Sequence, residues 1–183
     1  MNDLTEKTLS QSTAFQGRLL RLRVDEALLP DGTTAGREVV EHPGGVGVLA
    51  LTEDRKVLLV RQYRYPYGEI LTEIPAGKRD PGEDPLTTGM RELEEETGYR
   101  ANTFTPLGVV YPSPGYCDEI IYLYLATDLV PTQAHPDEDE FLEVERRDLE
   151  LLTRQVLAGE IPDAKTQVAV LKAQLLLNQG KEG

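Results

Sequence analysis

The stretch GKRDPGEDPLTTGMRELEEETGY, running from Gly77 to Tyr99, decides the fold of this chain. Its centre reads as a helix. Asp84 is a good N-cap, Pro85 suits the first helical position, and Leu86, Met90 and Leu93 recur at i, i+4 and i+7. Gly98 is placed to end the helix in the left-handed conformation. On that helix Glu92, Glu95 and Glu96 stand at i, i+3 and i+4, so their carboxylates share one face. Glu92 and Glu96 are like charges one turn apart, which destabilises an isolated helix by on the order of a few tenths of a kcal/mol. They also crowd the last turn, the negative end of the helix dipole, where each acid costs roughly 0.3–1 kcal/mol. A helix built for stability alone would carry Lys or Arg there.

Two readings of the cluster follow from the residues alone. One is a solvated acidic face. The other is a site for a hard divalent cation such as Mg²⁺, which takes oxygen ligands and shares coordination with substrate phosphates. Such an ion polarises phosphorus–oxygen bonds and lowers the pKa of an attacking water. Upstream, Glu73-Ile74-Pro75-Ala76-Gly77 reads as a strand delivered into a tight glycine turn, where a backbone carbonyl is available as a further ligand. Glu83 is placed to pair with Arg91 and fix the loop against the helix, a structural role.

Outward from this segment, strands are expected at residues 18–29, 37–41, 46–51, 57–60 (continuing toward Tyr63), 70–74, 104–110, 119–126 and 141–144. The turn Glu53-Asp54-Arg55 makes a hairpin of the two most apolar runs, and residues 135–140 read as an acidic loop. Two helices close the chain, at residues 147–158 and 164–178, separated by Gly159 and Pro162. The opening stretch to about Ser12 reads as polar and frayed. Strands mixed with three helices indicate an α/β (α+β) fold, a sheet covered by helices on both faces.

Composition narrows the function classes. A net charge of −13 repels a polyphosphate backbone, so long DNA or RNA is disfavoured, whereas a small phosphorylated ligand bridged by a cation is not. Hydrophobic residues make up 39%, enough for a core without disulfides, and the single Cys117 cannot form an internal one. The start MNDLTEKTLSQ lacks the pattern of a signal peptide, and no apolar run approaches the roughly 20 residues a bilayer needs. A cytoplasmic protein without a membrane span is therefore expected. His42 and His135 each precede a proline and are given no catalytic role.

Gly77, Glu83, the run Arg91-Glu92-Leu93-x-Glu95-Glu96 and Gly98-Tyr99 together resemble the signature of Nudix hydrolases at every fixed position. Tyr99 is the one unusual residue, since an aliphatic side chain is commoner there. The resemblance implies the Nudix α/β/α sandwich with a mixed sheet. Residues 46–183 would form that domain, and residues 1–45 an N-terminal β segment serving as a dimerisation arm. It implies hydrolysis of a nucleoside diphosphate linked to another moiety, with Glu92, Glu95, Glu96 and the Ala76 carbonyl holding Mg²⁺, and Mn²⁺ or Zn²⁺ as substitutes. Gly77, Glu83, Arg91 and Gly98 would be structural.

Beyond the signature, Ser113-Pro114-Gly115, Arg61-Gln62-Tyr63-Arg64 and Glu73-Ile74-Pro75-Ala76-Gly77 look like the ADP-ribose pyrophosphatases of that family. So does the acidic loop Asp137-Glu138-Asp139-Glu140, from which a glutamate would position the attacking water: Glu140, with Glu138 as the rival. Arg37, Arg64, Glu73, Ser113, Pro114 and Gly115 match positions around the substrate, and arginine's planar fork suits a diphosphate. With no tryptophan in the chain, adenine stacking would fall to Tyr, Phe or Arg. The resemblance thus implies an ADP-ribose hydrolase, homodimeric through residues 13–45. Its rivals are a hydrolase of another nucleoside diphosphate derivative (nucleotide sugar, NADH, dinucleoside polyphosphate or FAD) and a non-catalytic ADP-ribose sensor.

Overall fold

The computed structural model describes residues 3–136 and 140–179. Two compact units make up the chain, Met1–Gly44 with Tyr111–Ile120, and Gly45–Val110 with Ile121–Gly183.

In the first unit, β1 (Lys7–Gln16), β2 (Arg21–Leu28) and β3 (Thr34–Glu41) form an antiparallel sheet in that order. β1 corrects the expectation of a frayed start. Every residue of it is exposed, so no side-chain burial announces it, yet it pairs with β2 from Lys7 opposite Leu28 to Gln16 opposite Arg21. Backbone hydrogen bonding along β2 organises it, a contribution invisible to hydrophobic periodicity. Val40 on β3 donates to the Tyr116 carbonyl at 2.7 Å and accepts from Asp118 at 3.1 Å, which ties Tyr111–Ile120 to this sheet.

The second unit is built on β4 (Gly45–Leu51), whose seven residues are all buried. Around it run β5 (Lys56–Arg64), β6 (Glu69–Glu73), β7 (Ala76–Lys78), α1 (Pro85–Thr97), β8 (Tyr99–Val110), β9 (Ile121–Pro131), β10 (Leu142–Asp148), α2 (Leu149–Leu157) and α3 (Ala164–Gln179). The sheet order is β10-β5-β4-β9-β8, with β6 on β5 and β7 on β4. β4 and β9 run parallel and the other pairs antiparallel, so the sheet is mixed.

Alternation along β4 divides the core in two. Val46, Val48 and Ala50 cluster with Leu58 and with Leu93 of α1; Leu49 and Leu51 cluster with Leu59, with Leu149 and Leu152 of α2, and with Ala169 and Val170 of α3. Both faces of β4 are thereby covered, as its near-continuous apolar sequence requires. The β4–β5 hairpin forms as expected, with Ala50 opposite Leu58, Leu51 opposite Val57, and Arg55 at φ 60° in the turn.

The signature helix starts and stops where the sequence indicates. Asp84 Oδ2 accepts from the backbone N–H of Leu86 at 2.9 Å and of Thr87 at 3.2 Å, and Gly98 adopts φ 69°. Its buried face differs from the apolar stripe expected. Met90 is 46% exposed and Leu86 is only half-buried, while Thr88, Gly89, Glu92, Leu93, Glu96 and Thr97 face inward. Gly89 is the reason: a Cβ there would stand 3.0 Å from Val46 Cγ1 and 3.2 Å from Val48 Cγ2, so its absence lets this face of the helix close on β4. Replacing Gly89 by leucine overfills that contact. Gly89→Leu is expected to lose about 2 kcal/mol of stability, read as a lower denaturation midpoint with an unchanged slope.

Candidate active site

Glu96 and Glu92 are buried acids, with 1% and 7% of their surface exposed, and Glu95 is half-buried. The cluster is therefore no solvated face. Glu96 Oε2 accepts a hydrogen bond from the Ala76 N–H at 3.1 Å. The Glu92 carboxyl lies against Gly77 so closely that a Cβ on that residue would meet its carbon at 2.0 Å. Gly77 is thus not in a turn. Ala76–Lys78 is the short strand β7, with Gly77 opposite Val46 on β4, and glycine is needed there to make room for a carboxylate.

Arg91 does more than brace the loop. It reaches Glu83 Oε2 at 3.3 Å as expected, but its Nη1 also bonds Glu92 Oε1 at 2.8 Å and Glu95 Oε2 at 2.9 Å. Thr88 donates to the same Glu83 carboxylate at 2.8 Å. Arg91 and Thr88 hold Glu83 down to about 2. Burial works against the charge of Arg91, yet its carboxylate partners outweigh that and keep its pKa above the ordinary range. Among the described residues, no three acidic, histidine or cysteine side chains converge as they stand on one cation position. The guanidinium between Glu92 and Glu95 is the local counter-charge.

One arginine is not enough. Burial raises Glu92 to about 7, against the pull of Arg91, with the charges of Glu95 and Glu140 adding to the rise. Burial raises Glu96 to about 8, with Glu92 and Glu140 adding and the Ala76 N–H and the Lys165 charge opposing. The exposed Glu140 therefore acts electrostatically on both acids, whereas Glu138 lies outside the described residues. Glu140 also borders a groove with Tyr63 and Phe141, a cavity of about 440 Å³. Hard carboxylate oxygens whose ionisation is opposed by burial are the donor chemistry a divalent cation suits, and Glu92, Glu95 and Glu96 supply that chemistry from one helix although they do not converge on one point as they stand.

Arg64 and Glu73, assigned to the substrate by resemblance, are bonded to each other: Nε to Oε1 and Nη2 to Oε2, both at 2.7 Å. Burial pushes the pKa of Glu73 up, but Arg64 and Lys165 outweigh it and hold it below the usual carboxylate range. Lys165, in the first turn of α3, bonds both Glu73 and Asp163, and is itself buried. The sequence reading missed it. A signal existed: a lysine opens α3, at the positive end of the helix dipole, as misplaced as the acids ending α1. In the first unit, Arg37 forms a two-bond pair with Glu6, and the Ser113 carbonyl accepts from Tyr116 and Cys117 around Pro114 and Gly115.

Residues 41–168 match the NUDIX domain model, and residues 6–40 the nucleoside diphosphate sugar hydrolase N-terminal domain. The chain belongs to the NUDIX family. It is 44% identical to an ADP-ribose pyrophosphatase of Bacillus subtilis (strain 168), over 96% of each chain. It is likewise 44% identical to a methanol dehydrogenase activator of Bacillus methanolicus, over 93% of each. In fold, this NUDIX chain superposes on a crystal structure described as an ADP compounds hydrolase, with TM-score 0.86, 24% identity and 98% of both chains covered. Among the described residues, no helix is long and apolar enough to cross a membrane.

The raised acids make a stability prediction. A carboxyl that keeps its proton to higher pH folded than unfolded stabilises the fold at low pH. That stability is lost as pH rises from the ordinary 4.5 through about 7 and about 8. In chelator, Tm should therefore fall between pH 5 and pH 8.5. Glu96→Gln should raise the Tm of the metal-free protein at pH 8.5 by on the order of 5 °C, and change it little at pH 5.

Proposed function

We propose that this NUDIX hydrolase cleaves ADP-ribose to AMP and ribose 5-phosphate with Mg²⁺ as cofactor, Mn²⁺ or Zn²⁺ serving as substitutes. The observation that carries the proposal is the pair of buried acids, Glu92 and Glu96, on one face of α1. Their burial makes sense with a bound cation and is hard to account for without one. Glu92, Glu95, Glu96 and the Ala76 carbonyl would hold the metal. When bound, the metal neutralises the diphosphate and lowers the pKa of a water.

The chain's own residues do the rest. Arg91 keeps Glu92 and Glu95 on their face of the helix and anchors them through Glu83. Glu140, whose charge both buried acids feel, positions the attacking water. Arg64 meets the diphosphate. Tyr63 and Phe141, beside Glu140, are aromatic faces able to stack a ring in a protein without tryptophan. Identity along nearly the whole length to an ADP-ribose pyrophosphatase supports ADP-ribose as the substrate. The active form is a homodimer joined through residues 13–45, to be checked by light scattering.

A second reading rests on the equal identity to a methanol dehydrogenase activator: a chain whose hydrolysis serves a dehydrogenase. One experiment addresses both. The purified protein is incubated with Mg²⁺ and ADP-ribose, NADH, nucleotide sugars, dinucleoside polyphosphates and FAD in ¹⁸O-water. ADP-ribose should give the highest kcat/KM, with label in one of the two phosphate products. Preference for NADH would favour the second reading. Product-free binding of ADP-ribose would leave a sensor instead. Glu96→Gln should lower kcat by on the order of a thousandfold or more with an unchanged circular dichroism spectrum. A near-native rate at saturating Mg²⁺ would remove Glu96 from the ligand set.

A further inference from the structure

Charges on three elements outside α1 meet in a buried chain. Arg64 from the end of β5 grips Glu73, the last residue of β6, through Nε and Nη2, both at 2.7 Å. Lys165 in the first turn of α3 donates to the same Glu73 carboxylate, and to Asp163 Oδ1 at 2.9 Å. Asp163 is fixed in turn, since its Oδ2 accepts from the Thr166 backbone N–H at 2.9 Å and hydroxyl at 2.6 Å. Thr166 Oγ1 then accepts from the Ile74 N–H at 2.9 Å, which pins α3 to the residue after Glu73. Every link is made, and Glu73 and Thr166 are wholly buried.

Two features set Lys165 apart from a simple neutraliser. Arg64 alone already supplies a bidentate counter-charge for Glu73, a strong and geometrically specific pairing. A second cation on that carboxylate, placed at the positive end of a helix dipole, is unfavourable for the helix in itself, although with Asp163 beside it two cations face two carboxylates. Its consequence is geometric. Glu73 is held from two sides, so the Nε–Nη2 edge of Arg64 has one place to dock, and no hydrogen bond among the described residues engages Nη1. The Arg64 side chain remains 36% exposed.

We propose that Lys165 is a positioning residue for substrate binding: by clamping Glu73 it fixes the guanidinium of Arg64 so that the Nη1 side is presented to the diphosphate. The proposal rests on the assignment of Arg64 to the diphosphate. Lys165 touches no substrate atom. It reduces the reorganisation Arg64 must undergo on binding, and so it acts on affinity rather than on the chemical step.

The test is a double-mutant cycle with Lys165→Met and Arg64→Ala in the full-length protein. It reads KM and kcat for ADP-ribose, and calorimetric affinity for ADP as a diphosphate probe. Lys165→Met should raise KM and weaken ADP binding about tenfold, with kcat within about threefold of the parent. In the Arg64→Ala background the same change should have no further effect on KM. Lys165→Arg should restore the parent KM. Should Lys165→Met not be recovered folded, Lys165→Gln, which keeps a donor in the space, is read in the same way and should raise KM at least about threefold. A folded Lys165→Met or Lys165→Gln protein with parental KM overturns the proposal, as do effects of Lys165→Met and Arg64→Ala that simply add. Failure of the underlying assignment looks different: Arg64→Ala by itself would leave KM and ADP affinity unchanged.

Discussion

Removal of the Glu92 and Glu96 carboxylates from water is the constraint the rest of this structure answers to. Taking an ionised group out of solvent costs several kcal/mol even after relaxation, far more than the roughly 0.3–1 kcal/mol that an acid loses at the wrong end of a helix dipole. Burial is accordingly the leading cause of both upward pKa shifts, ahead of every neighbouring charge. The surrounding residues read as accommodations of that demand. Gly77 vacates space for one carboxyl, the Ala76 N–H donates to the other, Gly89 lets the helix close on β4, and Arg91 supplies a cation in direct contact with Glu92.

The same logic, with the sign reversed, operates on the opposite face of the sheet. α3 opens with a lysine where its dipole favours an acid, and that lysine is buried against Glu73. Both helices therefore carry a charge their own dipole opposes, and each such charge belongs to the polar cluster rather than to the helix. Charges that destabilise the element bearing them are good pointers to function, because folding alone gives no reason to keep them. The two clusters also communicate electrostatically: Lys165 lowers the pKa of Glu96, and Glu96 raises that of Arg64.

Membership of the NUDIX family and the fold that goes with it were legible because the signature is local. Asp84, Pro85 and Gly98 dictate one helix by their intrinsic conformational preferences, and a period of 3.6 residues places Glu92, Glu95 and Glu96 together whatever surrounds them. Periodicity failed where stability is not carried by apolar side chains. β1 is an exposed strand held by its backbone, so it read as frayed. Of the i, i+4, i+7 pattern, Leu93 lies on the buried face whereas Met90 is exposed and Leu86 only half-buried, because the close approach to the sheet is made through a glycine, which carries no hydrophobic signal.

What the sequence determined by itself is thus which acids share a helix face, where that helix begins and ends, and that the apolar runs 46–51 and 57–60 pair as a hairpin. Each is a consequence of short-range geometry or of one segment's composition. Only the tertiary structure decided that Gly77 makes room for a carboxylate rather than a turn, that Arg91 bridges Glu92 and Glu95, and that Lys165 joins Arg64 and Glu73 across some ninety positions of chain. Those outcomes depend on desolvation and on side chains brought together from distant segments, and neither quantity exists until the sheet has formed.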